Sequence, residues 1–195
     1  MNRRLVLASQ SPRRKELLRI LGVPFDVIPA DIAEVQSAEE SPEQFVVRAA
    51  REKGMAVAMG VSDCVVLSAD TIVTIDGLAL GKPVDESDAV RMLQRLSNRR
   101  HSVYTAVCVI EQASENAGSV MHEGLERTDV WFNSMTEAQI RDYVRRETVL
   151  DKAGSYAIQG FASVYISRID GNYYNVMGLP LPMVADFLRL AKFYF

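Results

Sequence analysis

The sequence predicts an α/β protein with a mixed central sheet flanked by helices. Short apolar runs rich in β-branched and aliphatic residues alternate with segments of helical period, and the connections are short. Two helix starts pair a serine N-cap with a proline at the first helical position, at Ser11-Pro12 and Ser41-Pro42. This alternation is typical of a sheet covered by helices, and 195 residues can bury a large core in one domain or in two fused lobes. We predict a single domain over residues 1–195.

The elements of the first half are predicted from apolar runs, caps and one turn. Ser41 to Gln44 has the spacing of a capping box, and Asp76-Gly77 is a typical hairpin turn. In chain order, the predicted elements are a strand at 5–9, a helix at 12–21, a strand at 25–29, a helix from 42 to about 59, a strand at 64–69 and a hairpin at 71–80.

The second half continues the alternation. Ser134 to Glu137 has capping-box spacing and predicts a helix that ends near residue 146. A polar loop separates two long strands. In chain order, the predicted elements are a helix at 88–97, strands at 101–111 and 126–132, the helix ending near 146, a strand at 164–169 and a helix at 181–193.

Composition excludes several classes of protein. The net charge of −3 and the pI near 5.5 argue against a dedicated nucleic-acid binder, so we expect no nucleic-acid partner. Cys64 and Cys108 lie in apolar runs and are expected to be reduced core thiols, which suits the cytoplasm. The first apolar stretch breaks at Ser9, so we expect no signal peptide, and no run has the length of a membrane span.

The segment Ser9-Gln10-Ser11-Pro12-Arg13-Arg14 predicts an anion site at a helix start. Two arginines would fall in the first helical turn, where a cation is unfavourable by about 0.3–1 kcal/mol unless an anion is present. Free N–H groups and guanidinium groups together suit a polyphosphate. The alternative is that both arginines are solvated or paired with Glu16 and Asp26.

Carboxylates in two places could serve catalysis or metal binding. Asp70 follows the apolar run 65–69, which would put its carboxylate at the carboxyl end of a strand, where ligands bind in α/β sheets. Asp31 and Glu34 lie in the loop after the second strand, and carboxylates from separate loops could hold Mg²⁺. The alternatives are a turn or capping role for Asp70 and isolated surface positions for the loop acids.

Three lysines and one glutamine complete the candidates. Lys53 is in a helix, Lys82 follows a hairpin, and Lys152 opens the glycine-containing loop 151–160. Taken alone, each lysine is expected to be solvated. In that loop, Gln159 could read a nucleobase edge, because its amide both donates and accepts. His101 and His122 lack partners at zinc-ligand spacing, so zinc is not expected.

Five segments occur in an order that resembles the Maf family of nucleoside triphosphate pyrophosphatases, over essentially the whole chain. They are Ser9-x-Ser11-Pro12-Arg13-Arg14, Ala69-Asp70-Thr71, Gly81-Lys82-Pro83, Asp151-Lys152-Ala153-Gly154 with Gln159-Gly160, and Gly178-Leu179-Pro180.

The resemblance implies a fold, a reaction and an assembly. The fold would be a mixed sheet with two lobes around a cleft, related to inosine triphosphatases of the Ham1 type. The reaction would release a nucleoside monophosphate and pyrophosphate by cleavage between the α- and β-phosphates. Members are cytoplasmic, often homodimeric, and need a divalent metal, here Mg²⁺ with Mn²⁺ or Co²⁺ as alternatives.

The resemblance also implies residue roles. Asp70 matches the catalytic proton acceptor, and Asp70 with Glu34 are the metal candidates; many relatives carry an acid at the position of Ala33. The phosphate-binding residues would be Ser9, Arg13, Arg14, Lys53 and Lys82.

Three positions indicate a branch within the family. Arg13, Thr71 and Gln159 match the branch that prefers dTTP and UTP, whereas the 7-methyl-GTP branch tends to have tryptophan at the first position and glutamine at the second. Two alternatives stay open: a pyrophosphatase for purine or modified nucleotides, and a nucleotide-binding regulator of cell division that acts without turnover.

Overall fold

The computed structural model describes residues 3–112 and 118–193. The chain divides into two compact units. Unit 1 comprises the chain up to Asp70, Thr105–Glu126 and the chain from Gly178 onward. Unit 2 comprises Thr71–Tyr104 and Arg127–Met177.

Seven strands form a mixed sheet, as the sequence predicts. Their bounds are β1 Arg4–Leu7, β2 Asp26–Val27, β3 Cys64–Ile75, β4 Leu78–Leu80, β5 Arg100–Gln112, β6 Val120–Phe132 and β7 Ile166–Asp170. The order is β2-β1-β3-β5-β6-β7, with β4 paired to β3. β1 is parallel to β2 and β3, whereas the β3–β4 and β6–β7 pairs are antiparallel. The chain passes from one unit to the other within β3, β5 and β6.

In the described part of the chain, six α-helices accompany the strands. They are α1 Pro12–Ile20, α2 Pro42–Ala58, α3 Glu86–Leu96, α4 Glu137–Arg146, α5 Tyr173–Met177 and α6 Leu181–Leu190. The predicted caps of α1 and α2 are confirmed: Ser11 accepts from the third helical N–H, and Ser41 forms a reciprocal capping box with Gln44. The predicted box at Ser134 is wrong. Thr136 caps α4 with Gln139, because a Thr-x-x-Gln pair offers the same reciprocal bonds two residues later.

Two strands run further than the sequence predicts. β3 does not end at residue 69 but continues to Ile75, since its second half pairs with β4. Asp70 therefore lies inside a strand and not at its carboxyl end. The parallel pairing with β1 nevertheless stops at Leu67, so Asp70 lies just beyond it. β6 begins at Val120 rather than 126, and of the predicted polar loop, residues 113–117 lie outside the described part of the chain.

Each unit has its own apolar core. In unit 1, β1, the first half of β3, Leu17 and Leu18 of α1 and one side of α2 are buried, and both cysteines are buried free thiols, as expected. In unit 2, β4, α3 and α4 cover the second half of β3 and the adjoining parts of β5 and β6. Within residues 3–112 and 118–193, no helix is long and apolar enough to cross a membrane.

Candidate functional site

The first turn of α1 carries the two arginines that the sequence predicts there. Ser11 caps the helix, Pro12 occupies its first turn, and that turn contains no acid. Arg14 donates from Nε to the carbonyl oxygen of Gly178 at 2.8 Å and from Nη1 to Oγ of Ser9 at 3.4 Å. Ser9 is 7% exposed and also accepts from the Ser11 N–H, so hydroxyl and guanidinium meet at the helix start. Arg13 lies beside them in the same turn and is half-buried.

Asp26, one of the predicted alternative partners of the arginines, pairs with Arg4 at 2.5 Å. The helix start is therefore not neutralised through this carboxylate. A first turn without acids and with two guanidinium groups is the electrostatic pattern of an anion site.

Helix α2 lies close against β3 in unit 1, and one glycine makes this possible. A Cβ on Gly54 would come within 2.7 Å of the Ser68 hydroxyl and 3.1 Å of Ile110. The Ser68 hydroxyl donates to the carbonyl oxygen of Ala50 at 2.7 Å, which ties the helix to the strand. Because Lys53 precedes Gly54, this close approach brings its side chain to the interior of the unit.

Lys53 joins the two acids that the sequence offers as metal ligands. Its Nζ lies 2.7 Å from Oδ1 of Asp70 and 2.8 Å from Oε2 of Glu34. Lys53 and Asp70 are 8% and 7% exposed, while Glu34 lies at the surface. The expectation of a solvated Lys53 is therefore wrong. A lysine loses its hydration only where carboxylates replace it, and two do so here.

Burial and neighbouring charge act in opposite directions on this cluster. Burial raises the pKa of Asp70, and the Lys53 ammonium and Arg14 guanidinium oppose that rise. Desolvation lowers the pKa of Arg14, against the attraction of Asp70 and Glu34. The cations of α1 and α2 thus interact with the same two carboxylates, which makes the helix start and the Lys53 cluster one electrostatic group.

The donor set of this cluster suits a hard cation. Mg²⁺ takes one or two carboxylates and completes its shell with water and phosphate oxygens, and Asp70 and Glu34 both contact the ammonium of Lys53. No group of three potential ligands among His, Cys, Asp and Glu occurs in the part of the chain that the structure describes. Asp31 lines a separate pocket with Ile28, Val57 and Gly60. Asp70 and Glu34 are therefore the two residues that could hold such a cation.

In unit 2, three residues that the sequence analysis proposes for substrate binding lie on different parts of the chain. Thr71 lies in the second half of β3, Lys82 in the turn after β4, and Gln159 in the loop 151–160. Thr71 is half-buried in β3, whereas Lys82 and Gln159 are exposed. One hydrogen bond connects the turn that contains Lys82 to the loop that contains Gln159: the Gly154 N–H donates to the Gly81 carbonyl oxygen at 3.0 Å. Gly154 has φ +67°, and a Cβ there would lie 2.9 Å from Val73. The loop can therefore contact the strand only with glycine at this position.

An aromatic cluster that the sequence analysis missed supports the same loop. Tyr156 bonds His101 Nε2 at 2.7 Å, and Phe132 packs edge-on against both rings. Burial lowers the pKa of His101 to about 4, so the imidazole is neutral at pH 7. Lys152 is also buried, contrary to expectation, because its ammonium bonds the Thr148 carbonyl oxygen and the Asp151 carboxylate.

Sequence reasoning also missed the carbonyl oxygen of Gly178. Gly178-Leu179-Pro180 is one of the segments that carry the family resemblance, but a backbone acceptor leaves no side-chain signal of its role. The signal for Tyr156 was available: a tyrosine between two glycines in a loop suggests a packed anchor.

The structure defines an α/β protein with an acid-free helix start that carries two arginines and with two carboxylates on one lysine. Residues 4–191 match the family described as Maf-like protein. The chain belongs to the Maf family. A dTTP/UTP pyrophosphatase of Bacillus thuringiensis subsp. konkukian (strain 97-27) is 47% identical over 187 residues, covering 96% of this chain and 95% of that protein. Proteins of the same name from Bacillus cereus (strain AH820) and Bacillus anthracis are 47% and 46% identical over the same lengths.

Among solved structures, the Ham1 protein of Staphylococcus aureus is similar to this chain with a TM-score of 0.47 and 14% identity. The match covers 95% of this chain and 98% of the Ham1 chain.

Proposed function

We propose that this protein hydrolyses nucleoside triphosphates to nucleoside monophosphate and pyrophosphate, with dTTP and UTP as preferred substrates. The observation that carries the proposal is the 47% identity to a dTTP/UTP pyrophosphatase over 96% of the chain. The cluster of Asp70, Lys53 and Glu34 beside the α1 helix start agrees with it, because a triphosphate needs cations, N–H donors and a metal site.

The phosphate chain is the part of the substrate that this charge pattern favours. A triphosphate carries about four negative charges, and charge-assisted hydrogen bonds to guanidinium and ammonium groups are the strong ones. We assign Ser9, Arg13, Arg14, Lys53 and Lys82 to its oxygens. Arg14 is already oriented by Gly178 and Ser9, so little side-chain freedom remains to be lost on binding.

Asp70 is the residue that we assign to the chemical step. When bound by Asp70 and Glu34, a divalent metal supplies charge neutralisation and activates water. Asp70 accepts the proton of the attacking water, while Lys53 keeps its carboxylate oriented through Oδ1. Pyrophosphate leaves from the α-phosphorus on the side opposite to the attacking oxygen, and Mg²⁺ is the proposed metal, with Mn²⁺ or Co²⁺ as alternatives.

Base selection is assigned to Arg13, Thr71 and Gln159. The Gln159 amide can pair with the O4 and N3–H edge of uracil or thymine, which cytosine presents with donor and acceptor reversed. The loop that carries Gln159 is held at Gly154 and at Tyr156, which reduces the freedom that its backbone can lose on binding.

We further propose a homodimeric, cytoplasmic enzyme with a house-cleaning role in the nucleotide pool. Buried, unpaired cysteines agree with a reducing compartment. Sedimentation of the purified chain at micromolar concentration tests the dimer, and a monomer there contradicts that part of the proposal.

A triphosphate panel tests the activity. Pyrophosphate release is measured with dTTP, UTP, CTP, GTP, ATP and 7-methyl-GTP, each with Mg²⁺, and again after chelation. We expect dTTP and UTP to give the highest kcat/KM and chelation to abolish release. A higher kcat/KM for 7-methyl-GTP or another purine nucleotide contradicts the proposed preference for dTTP and UTP. Tight nucleotide binding without pyrophosphate release from any triphosphate contradicts the proposed enzymatic activity and favours a nucleotide-binding regulator.

A further inference from the structure

Arg48 in α2 connects the helix to the segment of chain that carries Glu34. Its Nε and Nη2 donate to the two carboxylate oxygens of Glu40 at 2.7 and 2.8 Å, in the bidentate geometry that suits a guanidinium. Nη2 also donates to the carbonyl oxygen of Val35 at 2.9 Å. Nη1 donates to Glu52 one turn further along the helix, at 3.0 and 3.1 Å. One side chain thus fixes two points of the segment against α2.

The segment has further bonds of its own, and they centre on Glu40. Its carbonyl oxygen accepts from the Gln36 amide at 2.8 Å, its N–H donates to Ser37, and Oε2 accepts from the Ser37 N–H at 3.4 Å. Arg48 and these bonds hold the pKa of Glu40 below its usual range, so Glu40 is a carboxylate at pH 7. The segment between Glu34 and α2 is therefore ordered around one ion pair.

We propose that Arg48 is a positioning residue that holds the Glu34 carboxylate at the Lys53–Asp70 cluster. The carbonyl that it binds belongs to Val35, the residue directly after Glu34. Arg48 and Lys53 lie on the same helix, so α2 fixes the backbone beside Glu34 through one residue and meets its carboxylate through the other.

This ordering matters because Glu34 lies on a segment of the chain without helix or strand. The Glu34 side chain is more than a third exposed, and residues 28–37 form no helix or strand. The conformational entropy that one residue loses when its backbone is fixed opposes ordering by about 1–2 kcal/mol. A carboxylate on a loosely held segment spends less time near Asp70, so its contribution to a shared cation falls in proportion.

The first test needs no catalysis. Amide hydrogen exchange is compared for the wild type, Arg48→Ala and the matched control Arg51→Ala. Arg51 lies on the same helix and loses an equally close bidentate pair, with Glu123 of β6, at 2.7 and 2.8 Å. We expect exchange of the 34–40 amides to rise at least tenfold in Arg48→Ala and to stay within twofold of wild type in Arg51→Ala. Equal protection in all three proteins overturns the proposal.

The second test rests on the proposed function and measures the metal requirement. In Arg48→Ala we expect the Mg²⁺ concentration for half-maximal pyrophosphate release to rise at least fivefold, with kcat at saturating Mg²⁺ within threefold of wild type. Arg48→Lys cannot form the bidentate pair, so we expect its Mg²⁺ concentration for half-maximal release to lie between those of the wild type and Arg48→Ala. An unchanged Mg²⁺ dependence together with looser amides overturns the link to Glu34.

Two further variants separate the segment from the helix. Glu40→Gln removes the charge of the segment's partner of Arg48 but leaves the Val35 bond, so both measurements should shift part of the way to Arg48→Ala. Glu52→Gln removes only the charge of the partner within α2 and should resemble wild type. The reverse pattern contradicts the proposal. If the wild type releases no pyrophosphate, the proposed function fails, and the exchange experiment still decides the positioning role.

Discussion

Units 1 and 2 differ in what they bury around their candidate residues. Unit 1 buries Lys53 and Asp70 and holds them with a second carboxylate and a nearby guanidinium. Unit 2 supports the Gln159 loop with a neutral imidazole, a tyrosine hydroxyl and a glycine N–H. Its buried ammonium, Lys152, is held locally by a carbonyl oxygen and its neighbour Asp151.

This difference indicates two kinds of task. Burying charges opposes folding unless they are paired, and a cluster of paired charges beside a helix start without acids suits a charged ligand. Neutral hydrogen bonds and close-packed rings contribute shape and rigidity instead. On this interpretation, changes in the Lys53–Asp70 cluster should affect the rate, and changes in the Gln159 loop and its supports should affect selectivity or stability.

The largest effect is expected for Asp70→Asn. The substitution nearly keeps the volume but removes the charge that orients Lys53 and accepts the proton, so we expect pyrophosphate release to fall at least 100-fold, in the range of about 3 kcal/mol or more. The fold should survive with a lower melting temperature, because Lys53 loses its buried carboxylate partner but keeps Glu34. The control is Asp26→Asn, in an exposed pair with Arg4, which should keep full activity. Retention of most activity in Asp70→Asn would remove Asp70 from the mechanism.

Arg13→Ala should follow with a loss of about 10–100-fold in kcat/KM, the range of a lost charge-assisted contact. Because the residue lies in the first turn of α1, where a cation is unfavourable, its removal should not lower the melting temperature without nucleotide. Arg19→Ala, in the last turn of the same helix, is the matched control and should keep normal kinetics. Lower melting with unchanged kinetics would show that Arg13 is structural.

A pH effect is expected in unit 2. Burial holds the pKa of His101 at about 4, below its ordinary 6.5, so the folded state resists protonation. The resulting stability is present above pH 6.5 and is lost as the pH falls towards 4. We expect the free energy of unfolding in urea to be about 2 kcal/mol lower at pH 5 than at pH 7 from this group. His101→Gln should lose that part of the pH dependence, and an unaltered slope in the variant contradicts it.

The smallest effect is expected for Gln159→Ala. It should flatten the preference for UTP over CTP by about five- to tenfold in kcat/KM, in line with one lost base contact of about 1 kcal/mol. The maximal rate should change less, because the unit 1 cluster is untouched. Gln94→Ala, an exposed glutamine of α3, is the control. A wild-type UTP to CTP ratio in Gln159→Ala would show that Gln159 does not read the base.

Local signals predicted much of this fold. Ser11-Pro12, the Ser41–Gln44 box and the Asp76-Gly77 turn are confirmed, because caps and turns depend on residues that are neighbours in the chain. The α4 start was placed two residues early because Ser134 and Thr136 offer competing caps. α5, which is only five residues long, was missed, although Asn172 accepts bonds from the N–H groups of Tyr174 and Asn175.

The candidate site depended on contacts that no local pattern contains. The sequence separates Glu34, Lys53 and Asp70 widely, and only the packing of α2 on β3 joins them. The same holds for Arg14 with Gly178 and for Gly154 with Gly81. The family resemblance named most of these residues, but the burial of Lys53 and the continuation of β3 through Asp70 came from tertiary structure.

The capping box at the start of α2 sets a limit on insertions and deletions in this part of the chain. Ser41 and Gln44 fix where the helix begins, and each added or deleted residue beyond them turns the following side chains by about 100°. A single deletion between Gln44 and Arg48 would carry Arg48 away from Glu40 and Lys53 away from Asp70 together. Length variants should therefore be tolerated in the irregular stretch 28–33 before Glu34 but not within the first three turns of α2.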